Sequence, residues 1–280
     1  MTRYKIIALD IDGTLLNSCG RVSDRTYKTI HRAAEEGAII LVVTGRRFFT
    51  AKQRMLQLDL PDMFLAVHNG AILKQFSGEV LYHRLLSRDM AQQVVEVAKE
   101  MGLSPVVFAG TDDEATVLVE DYWDKLDSWE RGYLQENRRF LREVDNLSTD
   151  LPDDVIEVIC VVPTTDLHKL AANFEERLNR QVKPIVVTTT DWQHAFIGLT
   201  SPDVSKREPL RFLAAKEKID RGEIIAIGDN YNDLEMLQFA GVGVVMENAV
   251  PALKQMGFHV TASNNEDGVA QALQKFLFER

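Results

Sequence analysis

The sequence predicts an α/β protein, a parallel sheet covered on both faces and interrupted by an inserted α+β segment. Three observations carry this reading. Unbroken apolar runs at 6–9, 38–43, 64–67 and 224–227 alternate with stretches of helical period, as strands buried on both faces do. Acids, hydroxyls or turn residues stand directly after these runs, as at strand ends. The pattern changes near residues 82–88 and returns after Ser201-Pro202.

The elements follow in order. A strand over about 4–9 runs into Asp10-Ile11-Asp12-Gly13-Thr14. Ser23 is placed to cap a helix over about 24–36, with Tyr27, Ile30 and Ala34 on one stripe and Gly37 as its stop. A strand over 38–43 ends in Thr44-Gly45-Arg46, and a helix near 48–58 follows. The run 64–67 meets Asn69-Gly70, a strong tight-turn pair.

Ser87 then opens a helix over about 88–101, closed by Gly102. Strands are expected at 106–108, 116–120, 155–162, 184–190 and 195–199, with helices near 122–142 and 166–179. This mix departs from strictly alternating parallel units. Afterwards a helix over about 207–219 leads to strand 224–227, and Gly228-Asp229-Asn230 follows. A helix over 232–240, a strand over 242–246 and helices over 250–256 and 267–278 complete the chain. Residues 1–82 and 201–280 thus form one discontinuous domain, with 83–200 inserted as a second.

Composition bounds the function. The 280 residues, 45% hydrophobic and 26% charged, suffice for one large or two smaller domains with substantial cores. A net charge of -10 leaves no cationic surplus to face nucleic acid or an anionic membrane. The two cysteines, Cys19 and Cys160, form neither a disulfide framework nor a zinc spacing. No window approaches the roughly 18 apolar residues that span a membrane, and the N-terminus lacks a signal-peptide pattern. A reducing cytoplasm is the expected setting.

Asp10 and Asp12 carry the chemistry furthest. Side chains two apart in an extended segment share a face, so both carboxylates can enter one cavity. Held that close, they repel unless a cation or a proton intervenes. A calcium loop fails on spacing, because Gly13 is fourth and Arg21 twelfth where such a loop needs Gly sixth and Glu twelfth. Asp229 also follows a buried strand, and beside Asp10 it would complete an oxygen-rich site suited to Mg²⁺. Thr44 and Gly45 can offer a hydroxyl and backbone N–H groups to a phosphate. Lys206, just ahead of the helix over 207–219, can neutralise a phosphoryl group. Asp10, Asp12, Thr44 and Asp229 lie at the C-terminal edge of three predicted buried strands, where open α/β sheets bind ligands.

Together these strings resemble the haloacid dehalogenase superfamily, most closely its Cof-type sugar-phosphatase-like branch. The four motifs appear as Asp10-Ile11-Asp12-Gly13-Thr14, Thr44-Gly45-Arg46, Lys206 and Gly228-Asp229-Asn230-Tyr231-Asn232-Asp233. Asn69-Gly70-Ala71 and Asn264-Asn265-Glu266-Asp267-Gly268-Val269-Ala270 are further family-like strings. The resemblance implies a Rossmann-like doubly wound core with the inserted segment as a cap. It implies Asp10 as nucleophile through an aspartyl-phosphate, and Asp12 as the acid that protonates the leaving alcohol and then activates water. Mg²⁺ would be held by Asp10, the Asp12 carbonyl and Asp229. The Ile11 backbone, Thr44, Gly45, Lys206 and Asn232 would hold phosphoryl oxygens, while Asp233 would orient Lys206 or a metal-bound water.

The implied activity is a Mg²⁺-dependent phosphatase acting on small phosphorylated metabolites. Rival readings are a phosphomannomutase-like phosphotransferase and a non-catalytic phospho-ligand-binding protein. Arg207 stands where the family usually has Gly, and a surface salt bridge is its expected role. Tyr122, Trp123, Trp192, His194 and the loop over 110–114 are candidate substrate neighbours, though core aromatics and a surface loop are the expected roles for each taken singly. His68 is expected to be structural.

Overall fold

The computed structural model describes residues 3–111, 116–120, 138–188 and 194–279. They divide into two compact units, one of Met1–His83 with Ser205–Arg280 and one of Arg84–Val204.

The first unit is built on an eight-stranded sheet among the described residues. Its strands are β1 (Ile6–Leu9), β2 (Ile39–Val43), β3 (Phe64–Val67), β4 (Ile72–Gln75), β5 (Val80–His83), β12 (Ile224–Gly228), β13 (Val242–Val245) and β14 (His259–Val260), in the order β14-β13-β12-β1-β2-β3-β4-β5. All pairings from β14 to β3 are parallel, and β4 and β5 add antiparallel at the edge. The central strands β1 and β12 are wholly buried, which is why their sequences are continuous apolar runs.

From β1 the chain winds outward through β2 and β3. From β12 it winds the other way through β13 and β14. The direction therefore reverses between β1 and β12, and the carboxyl ends of that pair form the topological switch point. Helices α1 (Asp24–Glu35) and α8 (Gly268–Leu273) pack together, as do α5 (Arg207–Glu217) and α6 (Leu234–Phe239). The unit also holds α2 (Phe48–Met55) and α7 (Pro251–Lys254).

Local chemistry explains α1. The Ser23 side chain accepts from the Thr26 N–H at its start, and Gly37, at φ +94°, lets the Ala38 N–H reach the Ala33 carbonyl at its end. The buried stripe is Thr26, Thr29, Ile30 and Ala33; of the expected Tyr27, Ile30 and Ala34 only Ile30 is fully buried. Tyr27 is only half-buried and stacks on His31, with ring centroids 4.1 Å apart.

Several expected helices are shorter. The stretch 48–58 ends as a 3-10 turn over Leu56–Leu58, and 232–240 begins as one over Tyr231–Asp233. Residues 267–278 change from α8 to a π-helical turn over Gln274–Phe278. Strands β4, β5 and β14 were absent from the sequence reading.

The second unit has a six-stranded sheet of β6 (Pro105–Ala109), β7 (Thr116–Val119), β8 (Leu141–Glu143), β9 (Val155–Pro163), β10 (Lys183–Thr188) and β11 (His194–Thr200), in the order β10-β11-β9-β6-β7-β8. Among the described residues of this sheet, only β7 and β8 pair in parallel. Helices α3 (Arg88–Glu100) and α4 (Leu167–Arg177) pack on it through Ala91, Val94, Val95 and Phe174, against Val158, Cys160 and Ile197. Of the helix expected over 122–142, residues 122–137 lie outside the described residues. Its remainder is a correction, because 138–140 is a 3-10 turn and 141–143 belongs to β8, whose pairing with β7 overrides helical propensity.

Candidate active site

Asp10 leaves the buried end of β1, where its N–H donates to the Ile227 carbonyl of β12 at 3.1 Å. Its side chain is only 7% exposed. The Lys206 ammonium, 2% exposed, donates to Asp10 Oδ1 and to Asp233 Oδ1, both at 2.6 Å. The other oxygen of Asp233 accepts the Asp229 and Asn230 N–H groups, each at 3.0 Å. Asp233 is thus fully engaged, and it bridges the β12 loop to the lysine. Gly228 makes this possible, since a Cβ there would lie 2.6 Å from the Asp233 Cβ.

Carboxylate oxygens of Asp10, Asp229 and Asp233 all lie within 4.8 Å of one another. Three acids therefore face one ammonium. Burial pushes the Asp10 carboxyl well above its usual range, against the pull of Lys206 and with the push of Asp233 and Asp229. Burial, then Asp233, raises Asp229 to about 7. Burial alone would lower Lys206, but Asp10 and Asp233 outweigh it and hold the ammonium charged. The surplus of buried negative charge and the all-oxygen donor set fit a hard divalent cation.

Two contacts fix Asp229. Thr14 Oγ1 donates to its Oδ1 at 3.2 Å, and Gly13, at φ +83°, passes so close that a Cβ would lie 2.3 Å from Oδ2. The Gly13 turn is itself pinned from the far end of the chain. Asn248 Nδ2 donates to the Gly13 carbonyl at 2.8 Å, Asn248 Oδ1 accepts the Asn264 N–H at 2.9 Å, and Asn264 Nδ2 donates to the Leu16 carbonyl at 2.8 Å.

Asp12 points elsewhere. Its carboxylate is 54% exposed and takes a bidentate pair from Arg46, at 2.6 Å from Nε and 2.7 Å from Nη2. Ile11 is buried, and its carbonyl accepts the Leu15 and Leu16 N–H groups. The Thr44 hydroxyl is buried at the end of β2 and accepts the Arg46 N–H at 3.1 Å. Gly45 is exposed next to Asn69, whose Oδ1 would be 3.1 Å from an added Cβ. Asn232 Nδ2 donates to that same Asn69 oxygen at 3.0 Å.

The structure thus gathers Asp10, Lys206, Asp229 and Asp233 into one cluster and sets Asp12 at its solvent side. Arg207 pairs with Glu208 and Glu235, the surface role expected of it. His194 opens β11, while Tyr122, Trp123, Trp192 and residues 112–114 lie outside the described residues. Sequence reasoning missed the Arg46 contact to Asp12, although Arg46 stood inside a quoted motif. It also missed Asn248, for which nothing local in the sequence gives a signal.

The geometry agrees with the comparisons. The chain matches the haloacid dehalogenase-like hydrolases over residues 7–273. It is 29% identical over 282 residues to 5-amino-6-(5-phospho-D-ribitylamino)uracil phosphatase YitU of Bacillus subtilis, covering 99% of this chain and 98% of that protein. It is 27% identical to the putative phosphatase YxeH of the same organism, over 99% and 100% of the two chains. A haloacid dehalogenase-like hydrolase from Bacteroides thetaiotaomicron superposes with a TM-score of 0.80 at 29% identity, over 97% and 99% of the chains. The HAD subclass IIB sugar phosphatase BT4131 shares the fold with a TM-score of 0.78 at 20% identity, over 97% and 98%. With a family match over nearly its whole length, and full-length relatives named as phosphatases, the chain belongs to the haloacid dehalogenase-like hydrolases and is a phosphatase.

Proposed function

We propose that the protein hydrolyses small phosphomonoesters, sugar or sugar-alcohol phosphates among them, through a phosphorylated Asp10 and with Mg²⁺. The observation that carries this reading is the buried contact of Lys206 with both Asp10 and Asp233, beside Asp229 at the sheet's switch point. An anionic nucleophile can approach an anionic phosphoryl group only where cations screen both. Lys206 supplies one such charge. Asp10, Asp229 and the Asp12 carbonyl would hold Mg²⁺, which when bound screens the phosphoryl oxygens and keeps both acids ionised.

In the first step an Asp10 carboxylate oxygen attacks phosphorus, and the bond from phosphorus to the ester oxygen breaks. A protonated Asp12 gives its proton to the departing alcohol oxygen. Asp12, now a carboxylate, then takes a proton from the water that attacks phosphorus. The bond from Asp10 oxygen to phosphorus breaks, and phosphate and free Asp10 are released. Thr44, Gly45, Lys206, Asn232 and the Ile11 backbone would hold the non-reacting oxygens. For Asp12 to reach the ester oxygen, its pair with Arg46 must part.

Substrate choice belongs to residues 84–204 in this proposal, as a specificity cap. The names of two relatives, a phosphoribitylamino-uracil phosphatase and a sugar phosphatase, favour a phosphorylated polyol or sugar chain. The two cysteines are unpaired and fit a reducing cytoplasm.

The test is phosphate release from p-nitrophenyl phosphate and from a panel of sugar phosphates, with Mg²⁺ and with EDTA. Wild type should turn over only with Mg²⁺, and Asp10→Asn should lose about 10³-fold or more in rate. Release by Asp10→Asn at the wild-type rate would falsify the mechanism. Isomerised sugar phosphate in place of free phosphate would instead show a mutase.

A further inference from the structure

Residues His68–Gly70 connect β3 to β4 through three consecutive left-handed conformations, at φ +50°, +55° and +94°. Two of the three are not glycine, and His68 and Asn69 are both buried. A non-glycine residue at positive φ is uncommon, and two in a row persist only where their surroundings hold them.

What holds them is the phosphoryl-binding machinery of the proposed reaction. The His68 N–H donates to the Arg46 carbonyl and the Asn69 N–H to the Thr44 carbonyl, both at 2.9 Å, which ties the turn to the loop after β2. Gly70 lies against the residue before Lys206, and a Cβ there would be 2.2 Å from the Ser205 carbonyl oxygen. The Asn69 side chain reaches Asn232 in the loop after β12. One buried turn therefore touches all three loops that carry Thr44, Lys206 and Asn232.

The Asn69–Asn232 pair has an open valence. Asn232 Nδ2 is spent on Asn69 Oδ1, while Asn232 Oδ1 is buried with no partner among the described residues. A buried amide oxygen left unpaired costs free energy. A half-turn of both amides would let Asn69 Nδ2 donate to Asn232 Oδ1 and would free the Asn232 NH₂ group for an anionic oxygen.

We propose that Asn69 is a positioning residue of the phosphoryl site. Its backbone N–H ties the turn to the Thr44 loop, while Gly70 beside it meets the residue before Lys206, and its amide turns that of Asn232 so that an N–H faces the phosphoryl oxygen. The proposal rests on the phosphatase reading above and adds a residue to it.

The test is Asn69→Gly, which removes the side chain with its amide while leaving a residue that adopts the left-handed backbone without strain. Its melting temperature should stay within a few degrees of wild type. Its kcat/KM with p-nitrophenyl phosphate should fall about tenfold or more, and its Kd for inorganic phosphate, measured by calorimetry with Mg²⁺, should rise by a similar factor. The double variant Asn69→Gly/Asn232→Ala should be no worse than Asn232→Ala alone, because the first residue acts through the second. Wild-type phosphate affinity and turnover in Asn69→Gly, or simply additive losses in the double variant, would overturn the proposal. Wild type that neither binds nor releases phosphate would remove the phosphatase reading, and this proposal with it.

Discussion

Burial and the neighbouring Asp233 push Asp229 up to about 7, whereas the same carboxyl in the unfolded chain titrates near 3.8. Between those values the folded protein keeps a proton that the unfolded chain has lost. The metal-free fold therefore gains stability from Asp229 as pH falls through that window and loses it as pH rises. In the proposed function a divalent cation would bind the ionised form and expel the proton. The rise in melting temperature on adding Mg²⁺ should accordingly be larger at pH 8 than at pH 6, and Asp229→Asn should show almost no rise at either. An equal shift at both pH values would sink this account. Asp12 makes a second residue-scale prediction. With p-nitrophenyl phosphate, whose leaving group needs no proton, Asp12→Asn should still form the phosphoenzyme but clear it about 10²-fold or more slowly, seen as accumulation in rapid-quench labelling.

At the scale of elements, the loops after β1 and β12 fit each other only because glycine occupies the contact points. Gly13→Ala would drive a methyl group into Asp229 and would also strain a backbone at φ +83°. It should abolish turnover and weaken Mg²⁺ binding in calorimetry, while the helical circular dichroism stays native. Ser23→Ala tests a distant element. Loss of the α1 cap should cost about 1 kcal/mol in denaturant unfolding and leave kcat unchanged.

The same scale explains what the sequence disclosed. Strands β1, β2, β3 and β12 were legible because burial on both faces makes them unbroken apolar runs ending in polar residues. Strands β4, β5 and β14 were not. They are short, β5 and β14 are the sheet's edges with β4 next to one of them, and β14 has only His259 and Val260, too few residues to display a period. Within the site, acids at strand ends were readable from their positions. The Arg46–Asp12 and Asn248–Gly13 contacts depend on how loops meet in space, which spacing along the chain does not encode.

For the whole molecule, the chain leaves the first unit after His83 and re-enters it at Ser205. The proposed function assigns chemistry and substrate choice to these two different stretches of sequence. Replacing residues 84–204 with the matching segment of a relative of known substrate should transfer substrate preference, read as a changed ratio of kcat/KM values. The dependence on Asp10 and Mg²⁺ should remain. A chimera that kept the parent preference would assign specificity to the first unit instead.

The pairing of β1 with β12 also governs how the protein can be made. Thr14 and Asp229 are 215 residues apart in sequence yet hydrogen-bonded. A nascent chain emerging from the ribosome carries β1 long before its neighbour exists. Until about four-fifths of these residues have been translated, one side of the wholly buried β1 has no native partner. Chaperone occupancy during synthesis should therefore persist until β12 emerges, and the active site should be the last part of the first unit's centre to assemble.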